Sequence, residues 1–465
     1  MSVGARIDNA DLARNYAEEE IINATRADIK TWAIAAVKRF SQPYNDSNLP
    51  LWQFNDFWRR SNTFHAYLRF VEAAERRWST TDPELKEMQA LREAMITANS
   101  KFFDSQIGGQ KVWADDYGWC GISCVEARDY LLRIGDQKRA DEYLQRAKGC
   151  WNTMCSVGYD SSNTAKPVPQ GCSNISEENK EKREKGTKNS VTNSNLLVLS
   201  LRLYNALKNT DKPAATQYLN MAYAQFVWFN TWFKDNYVSL DDGYYLRQIT
   251  GPEGIIQGLL HERPRAKPDY DITDRPNWET GWVWSGDQGL ILAALAELYL
   301  VRDDLSPWIP DPPTFANDVR QAFSSIARGV RRLLFGGVDS VDGVLREAPF
   351  HASFDHTFGA DYVGGRGVLL RYISEEAVTQ MLGNSFYPLG FSATAAAVWN
   401  SRDAQNQFAA LWNKNNDKAF NQLFVQLWES GDDSIDEWVL ESSQAVDGVL
   451  QAAGLDSFTA AILSL

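Results

Sequence analysis

The chain has 465 residues, of which 44% are hydrophobic and 23% are charged, and this mixture excludes a wholly disordered protein. Its formal net charge of −13 repels polyphosphates, and no predicted helix carries a basic stripe, so nucleic acid is not an expected partner. The chain contains 17 Trp, and flat rings that line a cleft commonly hold the face of a sugar. Carbohydrate is therefore the first candidate ligand.

No targeting or membrane-spanning segment is visible in the sequence. The first 30 residues lack the apolar core of a signal peptide, and no later run approaches the roughly 20 apolar residues of a membrane span. The sequence as given is therefore expected to be cytoplasmic, or secreted if it is a trimmed mature form.

Apolar residues recur at helical spacing from end to end, whereas alternating strand patterns are sparse. The first predicted helix covers residues 11–40 and the last covers residues 436–454. Three segments between them share one plan, in which a helix rich in small residues is followed by a polar turn and a second helix. These segments are 120–151, 195–229, and 288–305 continuing into 315–335.

Helical hairpins repeated in this way bury their apolar faces only by packing against neighbouring hairpins. Long, irregular loops argue against a strict solenoid and favour a closed toroid with functional loops at one end. Residues 156–190, with a charge run at 177–185, are predicted to form a long surface loop, since similar hairpins continue on both sides. Although length alone predicts about three domains, we predict one domain over residues 1–465.

All five cysteines lie between residues 120 and 172. Their spacing does not match the paired knuckles of structural zinc, and an odd number leaves at least one thiol outside any set of disulfides. Buried reduced thiols on packed helices are the favoured interpretation, with one or two disulfides next and a metal last.

The strongest chemical candidate is the adjacent pair Asp115 and Asp116 in "WADDYGWCGIS", residues 113–123. Four Asp-Asp pairs occur in the chain, and turns or helix caps account for the other three. The first pair opens an apolar helix among three aromatic residues. A helix start attracts anions, so capping explains one of these Asp residues but not two beside three rings.

Two such carboxyl groups could hydrolyse a glycoside with retention of configuration, which needs them about 5 to 5.5 Å apart. Adjacent residues have Cα atoms about 3.8 Å apart, so this separation is attainable where the side chains diverge into one cleft. Mutual repulsion and partial desolvation allow one group to act as an ionised nucleophile and the other as an acid.

Other catalytic machinery is largely absent from the sequence. There is no G-x-S-x-G elbow, HExxH motif or Walker loop. His351 and His356 are five residues apart and would not share a helix face for a metal. We therefore predict neither a metal nor a cofactor.

Residues 113–123 resemble the W-x-D-D-x-x-W-W signature of glycoside hydrolase family 76, the endo-α-1,6-mannanase family. Further similar segments follow in the same order, ending at Trp412: "GTKNSVTNSNLLVLSLRLY", "VSLDDGYY", "WSGDQG", "DYVGGRGVLLRYI" and "AAAVWNSRDAQNQFAALW". The resemblance implies an all-α (α/α)6 toroid. It also implies a retaining hydrolase of α-linked mannosides, such as α-1,6-mannan, that uses no cofactor.

The same resemblance implies a role for individual residues. Asp115 would be the nucleophile and Asp116 the general acid/base. The substrate-binding residues would be Trp113, Tyr117, Trp119, Asn189, Asn193, Asp242, Trp284, Asp287, Gln288 and Asp361. Cys120 stands where the family has its second Trp, and Gly286 and Asp287 replace Tyr and Asn, which predicts a cleft with one ring fewer and one charge more.

Two other functions remain open from the sequence. Toroids of this kind also house sugar epimerases and isomerases, which would require His351 or His356 to point into the central cavity. The altered Gly286 and Asp287 also leave room for a non-catalytic glycan-binding protein.

Overall fold

The computed structural model describes most of the chain. The described residues are 24–45, 57–162, 170–234, 246–250, 256–262, 283–307, 309–335, 343–347, 363–383, 388–409, 412 and 444–465. Several predicted features lie outside these ranges. They are Asp242, His351, His356, Asp361, residues 11–23 of the first predicted helix and residues 436–443 of the last one. None of the described helices is both long and apolar enough to cross a membrane.

Within the described residues, twelve longer helices follow one another along the chain. They are α1 (Arg26–Asn45), α2 (Phe57–Arg77), α3 (Pro83–Gln106), α4 (Ala114–Arg133), α5 (Gln137–Gly158), α6 (Ser190–Leu207), α7 (Lys212–Lys234), α8 (Ser285–Leu300), α9 (Pro312–Gly329), α10 (Gly365–Ile373), α11 (Pro388–Asn400) and α12 (Gln444–Ser464).

Shorter elements connect these helices. They are a 3₁₀ helix (Glu177–Lys185), two short helices (Arg302–Leu305 and Glu376–Leu382), a π-helical turn (Val330–Leu334), and an antiparallel hairpin of β1 (Leu246–Thr250) and β2 (Ile256–Leu260). In that hairpin Leu246 lies opposite Leu260.

The even-numbered helices form a closed inner ring. Each contacts the next, from α2 through α4, α6, α8 and α10 to α12, and α12 packs back against α2. The odd-numbered helices form the outer layer. The predicted all-α (α/α)6 toroid is thereby confirmed. Because consecutive helices of such hairpins run antiparallel, all inner helices begin at the same end of the toroid.

The sequence explains which helices are inside. Helix α8 reads "SGDQGLILAALAELYL", and its residues are buried all round from Ser285 to Ala296, as expected of a helix surrounded by protein. Helix α9 has one apolar stripe instead, formed by Phe315, Val319, Phe323 and Ile326. Its other face is exposed, so it lies in the outer layer.

A belt of alternating charge crosses the interior of the ring. Each inner helix supplies one member, in ring order Arg69, Glu126, Arg202, Glu297, Arg371 and Asp456. In five of the six helices the residue lies twelve positions after the first helical residue, about 18 Å along the axis. The belt is therefore remote from the end at which the inner helices begin.

Three ion pairs within the belt join neighbouring inner helices. The Arg69 and Glu126 side chains are 3.7 Å apart, those of Arg202 and Glu297 are 3.1 Å apart, and Arg371 forms a two-pronged pair with Asp456 at 2.7 and 2.9 Å. These residues are largely buried. Each charge therefore needs its partner on the adjacent helix, which ties the ring together.

The three predicted hairpins are confirmed as α4 with α5, α6 with α7, and α8 with α9. The ends of the chain differ from the prediction. Helix α1 begins at Arg26, because the hydroxyl and backbone N–H of Thr25 form a capping box with Asp28. Helix α12 continues beyond Gly454 to Ser464, because this glycine allows close approach to Phe408 and does not end the helix.

The segment predicted as a surface loop, 156–190, is only partly exposed. Helix α5 extends to Gly158, and residues 171–173, 175 and 176 are buried. The charge run forms the 3₁₀ helix Glu177–Lys185 on the outside. All five cysteines are free thiols, and four of them are buried.

Candidate active site

The adjacent carboxylates lie on the first turn of the inner helix α4. Trp113 is the N-cap, and its backbone N–H donates to Oδ2 of Asp116 at 2.9 Å. Oδ1 of Asp115 accepts a hydrogen bond from the backbone N–H of Asp116 at 3.1 Å, and Oδ2 accepts one from Nδ2 of Asn174 at 3.3 Å. Both side chains are partly exposed, so the capping contact leaves the pair accessible at the mouth of the toroid.

The next inner helix, α6, begins with the two predicted asparagines. Asn189 is its N-cap, accepting from the N–H of Thr192 at 3.3 Å and donating to Oε1 of Glu262 at 2.9 Å. Asn193 accepts from the N–H of Cys172 at 2.7 Å, and its Nδ2 donates to the carbonyls of Cys172 and Asn189 at 2.9 and 2.8 Å. Both side chains are buried, so they hold loops against the helix start.

Helix α8 begins in an equivalent way. Gln288 accepts from the N–H of Leu260 at 2.8 Å and donates to the carbonyls of Leu260 and Trp284 at 2.9 and 3.0 Å. Ser285 donates both its backbone N–H and its hydroxyl to the carboxylate of Glu347. Gln288 thus pins the end of β2 to the start of α8, while Glu347 caps that helix.

Asp287 is fully buried and lies beside other acids. Among the described residues, no N–H or hydroxyl donates to either of its oxygens. Burial raises the pKa of Asp287 well above its ordinary value, and the carboxyl groups of Glu262 and then Glu347 raise it further. The protonated, neutral form of Asp287 is therefore favoured, which opposes the additional negative charge expected in the cleft.

The predicted aromatic residues divide into two groups. Trp113 is 47% exposed, whereas Tyr117, Trp119 and Trp284 are buried. Trp119 and Trp284 meet edge to face, with ring centroids 6.4 Å apart and an interplanar angle of 90°. They belong to α4 and to the start of α8, which are not neighbours in the ring, so their contact crosses the mouth above α6.

Tyr117 has a packing role in the structure. Its hydroxyl accepts from the N–H of Gly108 at 3.2 Å, and its ring meets Phe57 edge to face at 5.9 Å. Burial raises the pKa of the phenol above its ordinary value. Of the four predicted rings, only Trp113 offers a broad exposed face for a sugar.

The structure thus brings the described members of the predicted site to one end of the toroid, where the inner helices begin. Asp242 and Asp361 lie outside the described residues. Sequence reasoning missed Asn174, Glu262 and Glu347, which contact the site across 59 to 73 positions of chain. Within the described part of the chain, no group of three His, Cys, Asp or Glu side chains is placed to hold a metal ion.

Comparison with known proteins identifies the family. Residues 25–251 match the family model of glycosyl hydrolase family 76. This match, over just under half of the chain, supports its membership of glycosyl hydrolase family 76. As a member of this family it is a glycoside hydrolase. The region matched to family 76 includes Asp115, Asp116, Asn189 and Asn193, while Trp284 and the residues after it lie beyond that region.

Solved family 76 structures share the fold. An alpha-1,6-mannanase from Salegentibacter sp. HEL1_6 is 15% identical with a TM-score of 0.51, the match covering 93% of this chain and 100% of that one. A family 76 glycoside hydrolase from a bovine Bacteroides thetaiotaomicron strain is 14% identical with a TM-score of 0.51, covering 94% and 77%.

An alpha-mannanase from Bacteroides thetaiotaomicron is 13% identical with a TM-score of 0.50, the match covering 94% of this chain and 96% of that one. A search of curated proteins finds no match. At these identities the structural likeness establishes the toroidal fold and does not identify the sugar substrate.

Proposed function

We propose that this family 76 protein is a retaining glycoside hydrolase acting on α-linked mannosides of the α-1,6-mannan type. Asp115 is the nucleophile and Asp116 the general acid/base. The substrate class is supported by the mannanases among the similar structures. The observation that carries the mechanism is the pair of adjacent, partly exposed carboxylates on the first turn of α4.

The surroundings of Asp115 suit a nucleophile. Its two oxygens accept hydrogen bonds from the N–H of Asp116 and from Asn174, and hydrogen bonds of this kind favour the ionised carboxylate. The N-terminus of α4 also favours negative charge. An ionised, oriented carboxylate is what covalent glycoside cleavage requires of its nucleophile.

The reaction then proceeds in two steps. In the first, a carboxylate oxygen of Asp115 bonds to the anomeric carbon, the glycosidic C–O bond breaks, and Asp116 gives its proton to the departing oxygen. In the second, the Asp116 carboxylate takes a proton from water, the water oxygen bonds to the anomeric carbon, and the bond to Asp115 breaks. Each step inverts the anomeric carbon, so the product keeps the configuration of the substrate.

We propose further that the chain acts as one domain. The ring is complete only when α12 packs against α2, so the last described helix supports the helices on which the site is built. No observation on the described residues favours the sugar epimerase or the glycan-binding alternative. The two histidines that an epimerase would need lie outside the described residues.

The assignment is tested with α-1,6-mannan and a panel of α-mannosides, comparing wild type with Asp115→Asn and Asp116→Asn. We expect hydrolysis by wild type and a loss of at least about 10³-fold in kcat for Asp115→Asn. Asp303→Asn is the matched control, because the Asp303 side chain is 86% exposed in another Asp-Asp pair. Full activity in either site variant would refute the paired-carboxylate mechanism.

The two roles are separated with an activated aryl mannoside. Its leaving group needs no proton, so Asp116→Asn should still form the covalent intermediate, and added azide should accelerate its breakdown. Asp115→Asn should gain nothing from the activated leaving group. The reverse pattern would exchange the two assignments.

A further inference from the structure

Residues 172–176 form an extended strap that crosses the start of α4. Trp113 and Ser176 face each other in an antiparallel bridge, and the N–H of Ala114 donates to the carbonyl of Ile175 at 3.0 Å. The N–H of Glu177 donates to the carbonyl of Val112 at 3.2 Å. One edge of the strap is therefore bonded to the residues that lead directly into the Asp115–Asp116 turn.

The strap is also bonded to the elements that precede and follow it in the chain. Asn174 donates its backbone N–H to the carbonyl of Thr187 at 2.6 Å, just before α6. Ser173 donates its N–H to the carbonyl of Gly158 at 2.9 Å, at the end of α5. Gly158 permits this approach, since a Cβ there would lie 2.5 Å from the carbonyl oxygen of Ser173. Backbone contacts thus fix the strap.

The side chain of Asn174 has a different partner. Its Nδ2 donates to Oδ2 of Asp115 at 3.3 Å. A carboxylate only accepts hydrogen bonds, so the amide must present its nitrogen to Asp115. Among the described residues, no donor reaches Oδ1 of Asn174, although that atom is buried. Among the described residues, the side chain of Asn174 therefore hydrogen-bonds only the proposed nucleophile, while its backbone N–H helps to hold the strap in place.

We propose that Asn174 is the positioning residue of the nucleophile Asp115, an inference that rests on the proposed function. Oδ1 of Asp115 is held by the N–H of Asp116 and Oδ2 by Asn174. Two donors on different oxygens fix the rotation of the carboxylate about its last side-chain bond.

Removing Asn174 leaves one of these two donors. The carboxylate is then held less firmly in the direction of attack, and small misplacements of reacting atoms cost up to about 100-fold in rate. The missing N–H also disfavours the ionised form of Asp115, which moves the acid limb of the kcat/KM profile to higher pH. The strap keeps its backbone hydrogen bonds, so stability should change little.

The other titratable and charged groups near Asp115 are unaffected by this change. They are Asp116 on α4 and the Cys172 thiol of the strap. That thiol in turn interacts with Cys155, Lys188 and Arg183, and Lys188 is paired with Asp160 at 2.9 Å. A shift of the acid limb in an Asn174 variant therefore reports the lost N–H.

The test measures kcat, KM, the pH profile of kcat/KM and the melting temperature of Asn174→Ala and Asn174→Asp on α-1,6-mannan or an activated aryl mannoside. Asn174→Ala should lose about 10- to 100-fold in kcat with KM within about threefold, and its acid limb should rise. Asn174→Asp has the same shape but adds a like charge, so its acid limb should rise further. Asn179→Ala is the control, because Asn179 lies in the same segment and bonds Ser176 instead.

An unchanged kcat and pH profile in Asn174→Ala would overturn the proposal, as would a loss of activity that follows a matching loss of melting temperature. Failure of the proposed function gives a different result, since Asp115→Asn would then remain active whatever the Asn174 variants do.

Discussion

Asn193 and Gln288 make the same three hydrogen bonds at equivalent positions of two inner helices. Each side-chain amide pairs with both the N–H and the carbonyl of one residue, Cys172 of the strap or Leu260 at the end of β2. It donates again to the N-cap carbonyl four positions earlier. The segments that surround the site are therefore pinned to α6 and α8 by amides that the family resemblance implies as substrate-binding residues.

Replacing Asn193 with Leu should destabilise the fold. The buried N–H and carbonyl of Cys172 would lose their partner, which costs about 1 to 3 kcal/mol for each group left unsatisfied, so we expect a loss of about 2 to 4 kcal/mol. Gln288→Leu should behave alike, and Asn205→Leu, at an exposed position of α6, should change stability by less than about 0.5 kcal/mol. Denaturant unfolding measures the stability of the three variants. If Asn193→Leu is fully stable but no longer binds sugar, Asn193 is a sugar ligand and does not hold the fold together.

Trp113→Ala should weaken substrate binding with little effect on stability. The ring is 47% exposed, so its removal costs contact with the sugar and little packing. A loss of about 1 to 2 kcal/mol corresponds to a rise in KM of roughly 5- to 30-fold. Trp113→Phe keeps a flat face and should recover most of the affinity. Trp119→Ala should instead unfold the protein more easily, because that ring is buried.

Asp287→Asn should be tolerated and should gain stability over wild type as the pH rises. In wild type the pKa of Asp287 is raised by burial and by Glu262, so the folded state binds a proton more tightly than the unfolded state and loses stability as the pH rises. An Asn amide donates to Glu262 without titrating. Melting temperatures of wild type and variant are compared from pH 5 to 9. For the control Asp303→Asn, the difference from wild type should not change with pH. A difference that falls as the pH rises would contradict the raised pKa of Asp287.

Glu297→Gln should flatten the pH dependence of stability. Burial raises the pKa of Glu297 to about 7 from an ordinary 4.5, against the opposing effect of Arg202. Folded protein therefore binds more protons than unfolded protein between these values, and wild-type stability falls as the pH rises through this window.

Removing the carboxyl group of Glu297 should make the free energy of unfolding less dependent on pH. The slope should fall by up to about 1.4 kcal/mol per pH unit, which is the contribution of one proton. Arg202 keeps its two-pronged contact with Glu375 at 2.8 and 2.9 Å. Free energies of unfolding at pH 5, 6, 7 and 8 measure the slope. Glu142→Gln, at an exposed position, should retain the wild-type slope, and an equal slope in Glu297→Gln would show that the belt does not titrate there.

The fold could be predicted because its signals are local. The spacing of apolar residues and a polar turn predict hairpins such as α6 with α7. A toroid is a compact way to pack several such hairpins. The helix ends were less predictable. Gly454 is typical of a helix stop, yet it serves close packing against Phe408, a contact between residues far apart in the chain.

The site was predictable only in part, for the same reason. Asp115 and Asp116 are adjacent, so their clustering is visible in the sequence. Asn174 lies 59 residues away in a polar stretch that looks like solvent-exposed loop, and only the pairing of the strap with α4 brings it to Asp115. Residue type also does not reveal exposure: Trp119 and Trp284 look like sugar platforms, but they bury their faces against protein.

The central claim, double displacement through Asp115 and Asp116, is tested most directly by the anomeric configuration of the first product. Proton NMR can follow the reducing-end anomeric signal of α-1,6-mannan hydrolysis during the first minutes, before mutarotation equilibrates the two anomers. The mechanism predicts that the α anomer forms first and that the β anomer grows in later. Initial release of the β anomer would contradict a covalent intermediate on Asp115 and would require single displacement by water.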